Sequence, residues 1–266
     1  MNPLRNRKSY RPSAEGRERV EVEPYSVLAR YYDDVMDHVD YVAWAKLVHR
    51  IAAKHGRKAD RVVDFACGTG TLARRLNDHG YDVVGLDGCA EMVDVAKTLV
   101  PRHGRKLEFH VSDMRTVPDI GMQDIGVCLY DSINYLMEPE EVDSFFRGVR
   151  KVLPKSGLFI CDLSTEQNSR DHFDGYVVEE QVSGAWYHRE TRFDVKERIQ
   201  HNRFEIYPDD EDVIYIENHR QRVYSIQWIK DRLAASGMKV LAVYHNMSLK
   251  SGSESSDRVH IVSEPA

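Results

Sequence analysis

Apolar positions along the chain follow two rhythms. After a polar start, Pro24 suits a first helical position, with Val27, Leu28, Tyr31 and Val35 at helical spacing. Asp40 is placed to cap a second helix with Tyr41, Trp44, Ala45, Val48 and Ile51 on one face, and Gly56 stops it. Strand-like runs at residues 61–66, 82–86, 107–111, 125–130 and 158–163 then alternate with helical spacing at 71–78, 91–100 and 139–153. Parallel strands need crossover segments between them, so this alternation predicts βαβ units and five parallel strands.

The second rhythm begins at residue 176. Residues 176–182, 186–194, 198–206 and 213–224 alternate apolar with polar positions and are separated by turn formers such as Ser183-Gly184 and Pro208-Asp209-Asp210, the pattern of antiparallel hairpins. A helix at 225–235, stopped by Gly237, and strands at 239–245 and 258–262 return the chain to the first sheet. The hairpins therefore read as an insertion. The expected organisation is a basic tail over residues 1–20, N-terminal helices and an α/β core over 21–165, an antiparallel β insertion over 166–223, and completion of the core by 224–266.

Composition narrows the picture. The chain has 266 residues, 42% hydrophobic and 30% charged, which suits ordinary globular packing. Lys plus Arg is 37 against 43 for Asp plus Glu, a net charge of −6, so the body has no basic field for a phosphate backbone and nucleic acid is a disfavoured partner. Cys67, Cys89, Cys128 and Cys161 are scattered, with no CxxC pair, which argues against zinc, redox chemistry and a disulfide framework and suits a reducing cytoplasm. No apolar run approaches a membrane span. The tail carries Arg5, Arg7, Lys8, Arg11, Arg17 and Arg19 among few apolar residues, so it is expected to stay mobile.

The sharpest chemical feature is Asp64-Phe65-Ala66-Cys67-Gly68-Thr69-Gly70, at a strand-to-helix junction. Gly68 and Gly70 permit a tight turn and a close approach to a ligand. Asp87, at the end of the next strand, sits where a carboxylate can accept hydrogen bonds from both hydroxyls of a ribose. The glycine spacing also satisfies a dinucleotide pattern, but Asp64 puts a carboxylate beside the loop; a pyrophosphate would be repelled there, whereas a ligand carrying a sulfonium and an ammonium would be favoured. Asp113 could accept from an adenine amino group, with Met114 over the ring.

Residues 62–70, 85–92, 112–114 and 130–136 resemble the motifs of class I S-adenosylmethionine-dependent methyltransferases. Tyr32-Asp33, Tyr41, Trp44, the phrase from Asp64 to Gly70 and the late hairpins are most similar to glycine N-methyltransferase and the aminosugar N,N-dimethyltransferases. The resemblance implies a Rossmann-like seven-stranded sheet, mostly parallel with the last strand antiparallel, and helices on both faces. It implies S-adenosyl-L-methionine as the cofactor: Tyr32, Tyr41 and Trp44 over the methionine end, Asp64, Ala66, Cys67, Gly68, Gly70 and Leu129 lining it, Asp87 and Gly88 at the ribose, and Met92, Asp113 and Met114 around the adenine. Aromatic faces suit a sulfonium through cation–π attraction, worth about 0.5 to 2 kcal/mol.

On the acceptor side, Asp131, Asn134 and Tyr135 follow the fourth strand, and the resemblance places substrate-contacting groups in this loop. Asp131, Tyr135 and Tyr32 are the expected catalytic residues: Asp131 to attract an ammonium or receive its proton, Tyr135 to orient the nucleophile. His172, His188, His201 and His245 are possible bases on spacing. Residues 162–166 carry no Arg where glycine N-methyltransferase holds its substrate carboxylate. The expected reaction is in-line transfer of a methyl group to a small-molecule acceptor, an amine before an oxygen nucleophile, with no metal. The β insertion is expected to cover the site or to form a homo-oligomer contact. A noncatalytic S-adenosylmethionine-binding module, and a methyltransferase acting on RNA or protein, are the alternatives.

Overall fold

Two hydrophobic clusters, one on each face of a central sheet, are written into adjacent residues of its strands. Val62, Val83 and Val127 point to one face and Val63, Leu86 and Cys128 to the other, and all are buried. The computed structural model describes residues 12–266. In chain order its elements are β1 (Glu18–Val22), α1 (Tyr32–Val35), α2 (Tyr41–Lys54), β2 (Arg61–Asp64), α3 (Thr71–Asp78), β3 (Asp82–Asp87), α4 (Ala90–Ala96), β4 (Leu107–Val111), β5 (Ile125–Cys128), α5 (Pro139–Val152), β6 (Leu158–Ser164), α6 (Glu166–Asn168), β7 (Val177–Val182), β8 (Ala185–Asp194), β9 (Ile199–Pro208), β10 (Val213–Arg222), α7 (Ile226–Ala235), β11 (Met238–His245) and β12 (Arg258–Pro265).

The seven-stranded sheet runs β11-β12-β6-β5-β2-β3-β4. The strands from β6 to β4 are parallel, while β12 is antiparallel to both β6 and β11. Helices α2, α3 and α4 cover one face; α5 and α7 cover the other. Central β6 is buried along its whole length, as a strand covered on both faces must be. The parallel order reverses at β2, which has β3 on one side and β5 on the other, so a crevice opens at the carboxyl ends of these strands.

The second sheet runs β1-β10-β9-β8-β7, antiparallel except for β1, which pairs parallel to β10. One face carries Arg189, Asn202, Phe204, His219 and Gln221 to the crevice. The hairpins are therefore a lid on the core sheet.

Several expectations are corrected. Residues 18–20 were expected in the mobile tail but lie in β1: their backbone pairs with β10, and Arg19 reaches Glu205, so edge pairing compensates for their polarity. Residues 1–11 of that tail lie outside the described residues. The helix expected from Pro24 is broken, because Tyr25 takes φ +69° and the N–H groups of Tyr25, Val27 and Leu28 bond the Glu217 carboxylate instead of a helical ladder. The strand expected over 125–130 ends at Cys128, since Tyr130 and Asp131 both adopt left-handed backbone, at φ +65° and +53°. The helix expected over 91–100 ends at Ala96.

Candidate active site

The crevice begins where β2 ends. After Asp64 the chain turns through Gly68 (φ +54°) and Gly70 (φ +79°) into α3. A Cβ at Gly70 would lie 2.8 Å from the Phe109 ring, so this glycine is required by packing against the core as well as by its backbone angle. At Gly68 a Cβ would come no nearer than 4.0 Å to Met92 Sδ, leaving the backbone angle as the constraint and open space above the loop.

Asp87, the last residue of β3, ties the loop to the sheet. One of its oxygens accepts the Gly68 N–H at 2.8 Å and the other the Cys89 N–H at 2.9 Å. Burial raises its pKa, opposed by these two bonds. Each oxygen has a lone pair left for a ligand hydroxyl. Asp87, Gly88, Met92, Asp113 and Met114 line an open groove of about 1210 Å³. Asp113 is held by Arg115, which donates to both of its oxygens and also reaches Glu141 at 2.7 Å; the Arg115 hydrogen bonds keep the Asp113 carboxyl below its usual range.

The groove leads into a smaller cavity of about 140 Å³. Tyr32, Tyr41, Trp44, Asp64, Ala66, Cys67, Gly68 and Leu129 line its core side. Asp64 is only 2% exposed. Burial pushes its pKa up to about 7, the Ala66 N–H opposes the rise, and nearby Asp87 adds to it. A cation arriving here would favour the ionised carboxylate.

Asp131 is fixed on all sides. Its oxygens accept from Arg258 at 2.7 Å and from Gln221 at 2.6 Å, and its N–H donates to Asp162 at 2.9 Å. Arg258 also bonds Asp162 and lies over the Trp44 and Tyr130 rings. Burial raises the pKa of both carboxyls, and Arg258 opposes it.

A chain of hydrogen bonds lines the far wall of the cavity. The Tyr25 and Tyr135 hydroxyls are 2.6 Å apart, and the Tyr135 hydroxyl is 3.0 Å from His219 Nδ1. His219 Nε2 is 2.9 Å from the fully buried Glu217, whose carboxylate also accepts the N–H groups of Tyr25, Val27 and Leu28. With Nε2 donating to Glu217, Nδ1 is left to accept from Tyr135, and Tyr135 from Tyr25.

Residues 62–157 match the family profile described as a methyltransferase domain. A protein of Geobacillus sp. (strain WCH70), classed as a methyltransferase of unstated acceptor, is 29% identical over 90% of this chain and 99% of its own. The glycine/sarcosine N-methyltransferase of Aphanothece halophytica is 33% identical over 41% of each chain. Among solved structures, an S-adenosylmethionine-dependent methyltransferase from Clostridium acetobutylicum superposes with a TM-score of 0.78 at 21% identity, covering 91% of this chain and 99% of that one. Residues 62–157 are thus a methyltransferase domain, and the chain has the fold of S-adenosylmethionine-dependent methyltransferases.

The crevice of this methyltransferase fits that donor: a doubly anchored carboxylate at the groove, a buried carboxylate where positive charge is expected, and open space above Gly68. The residues expected at the donor are brought together in groove and cavity, with one exception. Gly70 faces Phe109 and the core. Tyr32, Asp131 and Tyr135 all line the cavity. The histidines picked out by spacing do not: His188 bonds Glu179 and Glu190, His245 bonds Ser256, His172 lies near Asp257, and His201 stands beside Arg220, Arg192 and Asp194. Sequence reasoning missed Tyr25, Arg189, Asn202, Glu217, His219, Gln221 and Arg258. One signal was present: Glu217, His219 and Gln221 occur at every second position of a predicted strand, so they share a face.

Proposed function

We propose that this methyltransferase transfers a methyl group to the nitrogen of a small-molecule amine. The observation that carries the reading is the single cavity in which Asp64, Ala66 and Gly68 face the Tyr25–Tyr135–His219 chain. When bound, S-adenosylmethionine supplies a methyl group on cationic sulfur; transfer breaks the carbon–sulfur bond, forms a carbon–nitrogen bond and leaves S-adenosylhomocysteine. The residues of the chain have two tasks, alignment and removal of one proton.

An ammonium has no lone pair, so the acceptor must lose a proton before it attacks. The Tyr25 oxygen receives that proton, Tyr25 passes its own to Tyr135, and Tyr135 passes its own to His219 Nδ1. The imidazolium so formed faces the Glu217 carboxylate, which stabilises it. Asp131, with both oxygens engaged, holds the loop and supplies fixed negative charge near the acceptor. Tyr32, Tyr41 and Trp44 line the core side as electron-rich faces and exclude water. The partial similarity to a glycine/sarcosine N-methyltransferase supports nitrogen as the nucleophile.

The test is transfer of labelled methyl to a panel of primary and secondary amines, with products located by NMR. Label on nitrogen supports the reading, and transfer only to oxygen acceptors contradicts it. His219→Asn is expected to lower kcat about 100-fold while donor affinity stays within about twofold.

A further inference from the structure

We propose that Arg189 of β8 binds a carboxylate on the acceptor, so that the substrates are compact amines carrying an acid group. The inference rests on the amine-methylation reading above and narrows its substrate class. Arg189 lines the same cavity as the donor-side residues, but from the lid. Its guanidinium is held in place: one terminal nitrogen donates to Asn202 Oδ1 at 2.6 Å, and the rings of Phe173, Tyr176 and Phe204 stand 5.3 to 6.0 Å from its central carbon. Its Nε is buried without a hydrogen-bond partner. A buried donor with no acceptor is costly unless a ligand supplies one.

Charge pairing points the same way. Arg258, the other arginine at this site, is matched by Asp131 and Asp162. Glu217 is occupied by His219 and three backbone N–H groups. Arg189 has no carboxylate within ion-pair distance among the described residues, and its positive charge reaches the cavity, opposing the upward pKa shifts of Tyr130 and Tyr135. One unmatched cation calls for one negative charge. A carboxylate provides it, and its two oxygens suit the free edge of a guanidinium. A phosphate dianion would bring a second charge with no partner beside Asp131. Held this way, the acid end lies against the lid, and the amine is left to face the tyrosine pair.

The experiment uses the full chain and paired probes: ω-amino acids from glycine to 5-aminopentanoate, and the carboxamide of each. Initial methyl-transfer rates are measured for every pair, and each probe is tested for thermal stabilisation of the S-adenosylhomocysteine complex. At least one acid should exceed its amide by about tenfold or more in kcat/KM, mainly through KM, and should alone raise the melting temperature of the complex. In Arg189→Met the acid-over-amide ratio should fall to about one while S-adenosylhomocysteine affinity stays within about twofold, and Arg189→Lys should recover part of the preference. Equal use of acids and amides, absence of any acid-specific stabilisation, or weakened S-adenosylhomocysteine binding in Arg189→Met would overturn the inference. The last result would assign Arg189 to the donor's own carboxylate. If no amine is methylated, the proposed reaction fails, and the stabilisation data still decide whether Arg189 selects an acid.

Discussion

The two sides of the cavity are built by different means. On the core side the chemistry is local: Asp64, Ala66, Cys67 and Gly68 lie in one turn, and Asp87 closes it through backbone N–H groups. On the lid side it is distributed: Tyr25, Tyr135, Arg189 and His219 come from remote parts of the chain and are held by side-chain bonds. The proposed donor half depends on where strands end, whereas the proposed acceptor half depends on which side chains meet. A donor site made from backbone geometry can stay constant while a lid built from side chains changes its acceptor.

The largest effect is expected where the two halves join. Glu217→Ala would leave three N–H groups and His219 without their acceptor, costing about 3 to 5 kcal/mol of stability by chemical denaturation and abolishing turnover. A loss below about 1 kcal/mol would show that the lid is not anchored there. Next, Asp87→Ala should weaken donor binding about 100-fold by calorimetry, because it removes two charge-assisted bonds that shape the loop along with the proposed contacts to ribose. Equal donor affinity in this variant and the parent would sever the groove from the donor. Tyr135→Phe should lower kcat about tenfold with little change in donor affinity, since it interrupts the proposed proton route and leaves the core side intact. A change in donor affinity alone would move Tyr135 to the other half.

The smallest effect is a pH dependence. Burial lifts Asp64 to about 7, so below that pH the free site holds a proton and above it a negative charge. A cationic donor binds the charged form better, so the affinity of S-adenosylmethionine relative to S-adenosylhomocysteine should rise severalfold from about pH 6 to about pH 8 and then level off. In the free protein the same group contributes stability below the ordinary carboxylate pKa that is lost as the pH rises through about 7. Asp64→Asn should flatten the affinity ratio, and an unchanged slope would remove Asp64 from the cation's surroundings.

The same contrast explains what could be read in the sequence. Strand ends, the glycine turn and Asp87 are consequences of periodicity and short spacing, and the lining of the groove and the core side of the cavity follows from them. Alternation also announced the hairpins, but not which face turns inward or which strand lies over the crevice. His219 and Arg189 acquire roles only through tertiary contact, and the histidines chosen by spacing lie away from the cavity. Tyr25 was obscured by local signals, since the helix read from Pro24 onward is overridden by the Glu217 carboxylate. Asp131 lines the cavity, while its engagement by Arg258 and Gln221 depends on residues 127 and 90 positions away.

The most direct measurement is a crystal structure with S-adenosylhomocysteine bound. The ribose hydroxyls should lie within hydrogen-bond distance of Asp87, and the sulfur should enter the cavity between Asp64 and the Tyr25–Tyr135 pair. A nucleoside bound elsewhere, or a sulfur turned away from the lid, would contradict the account.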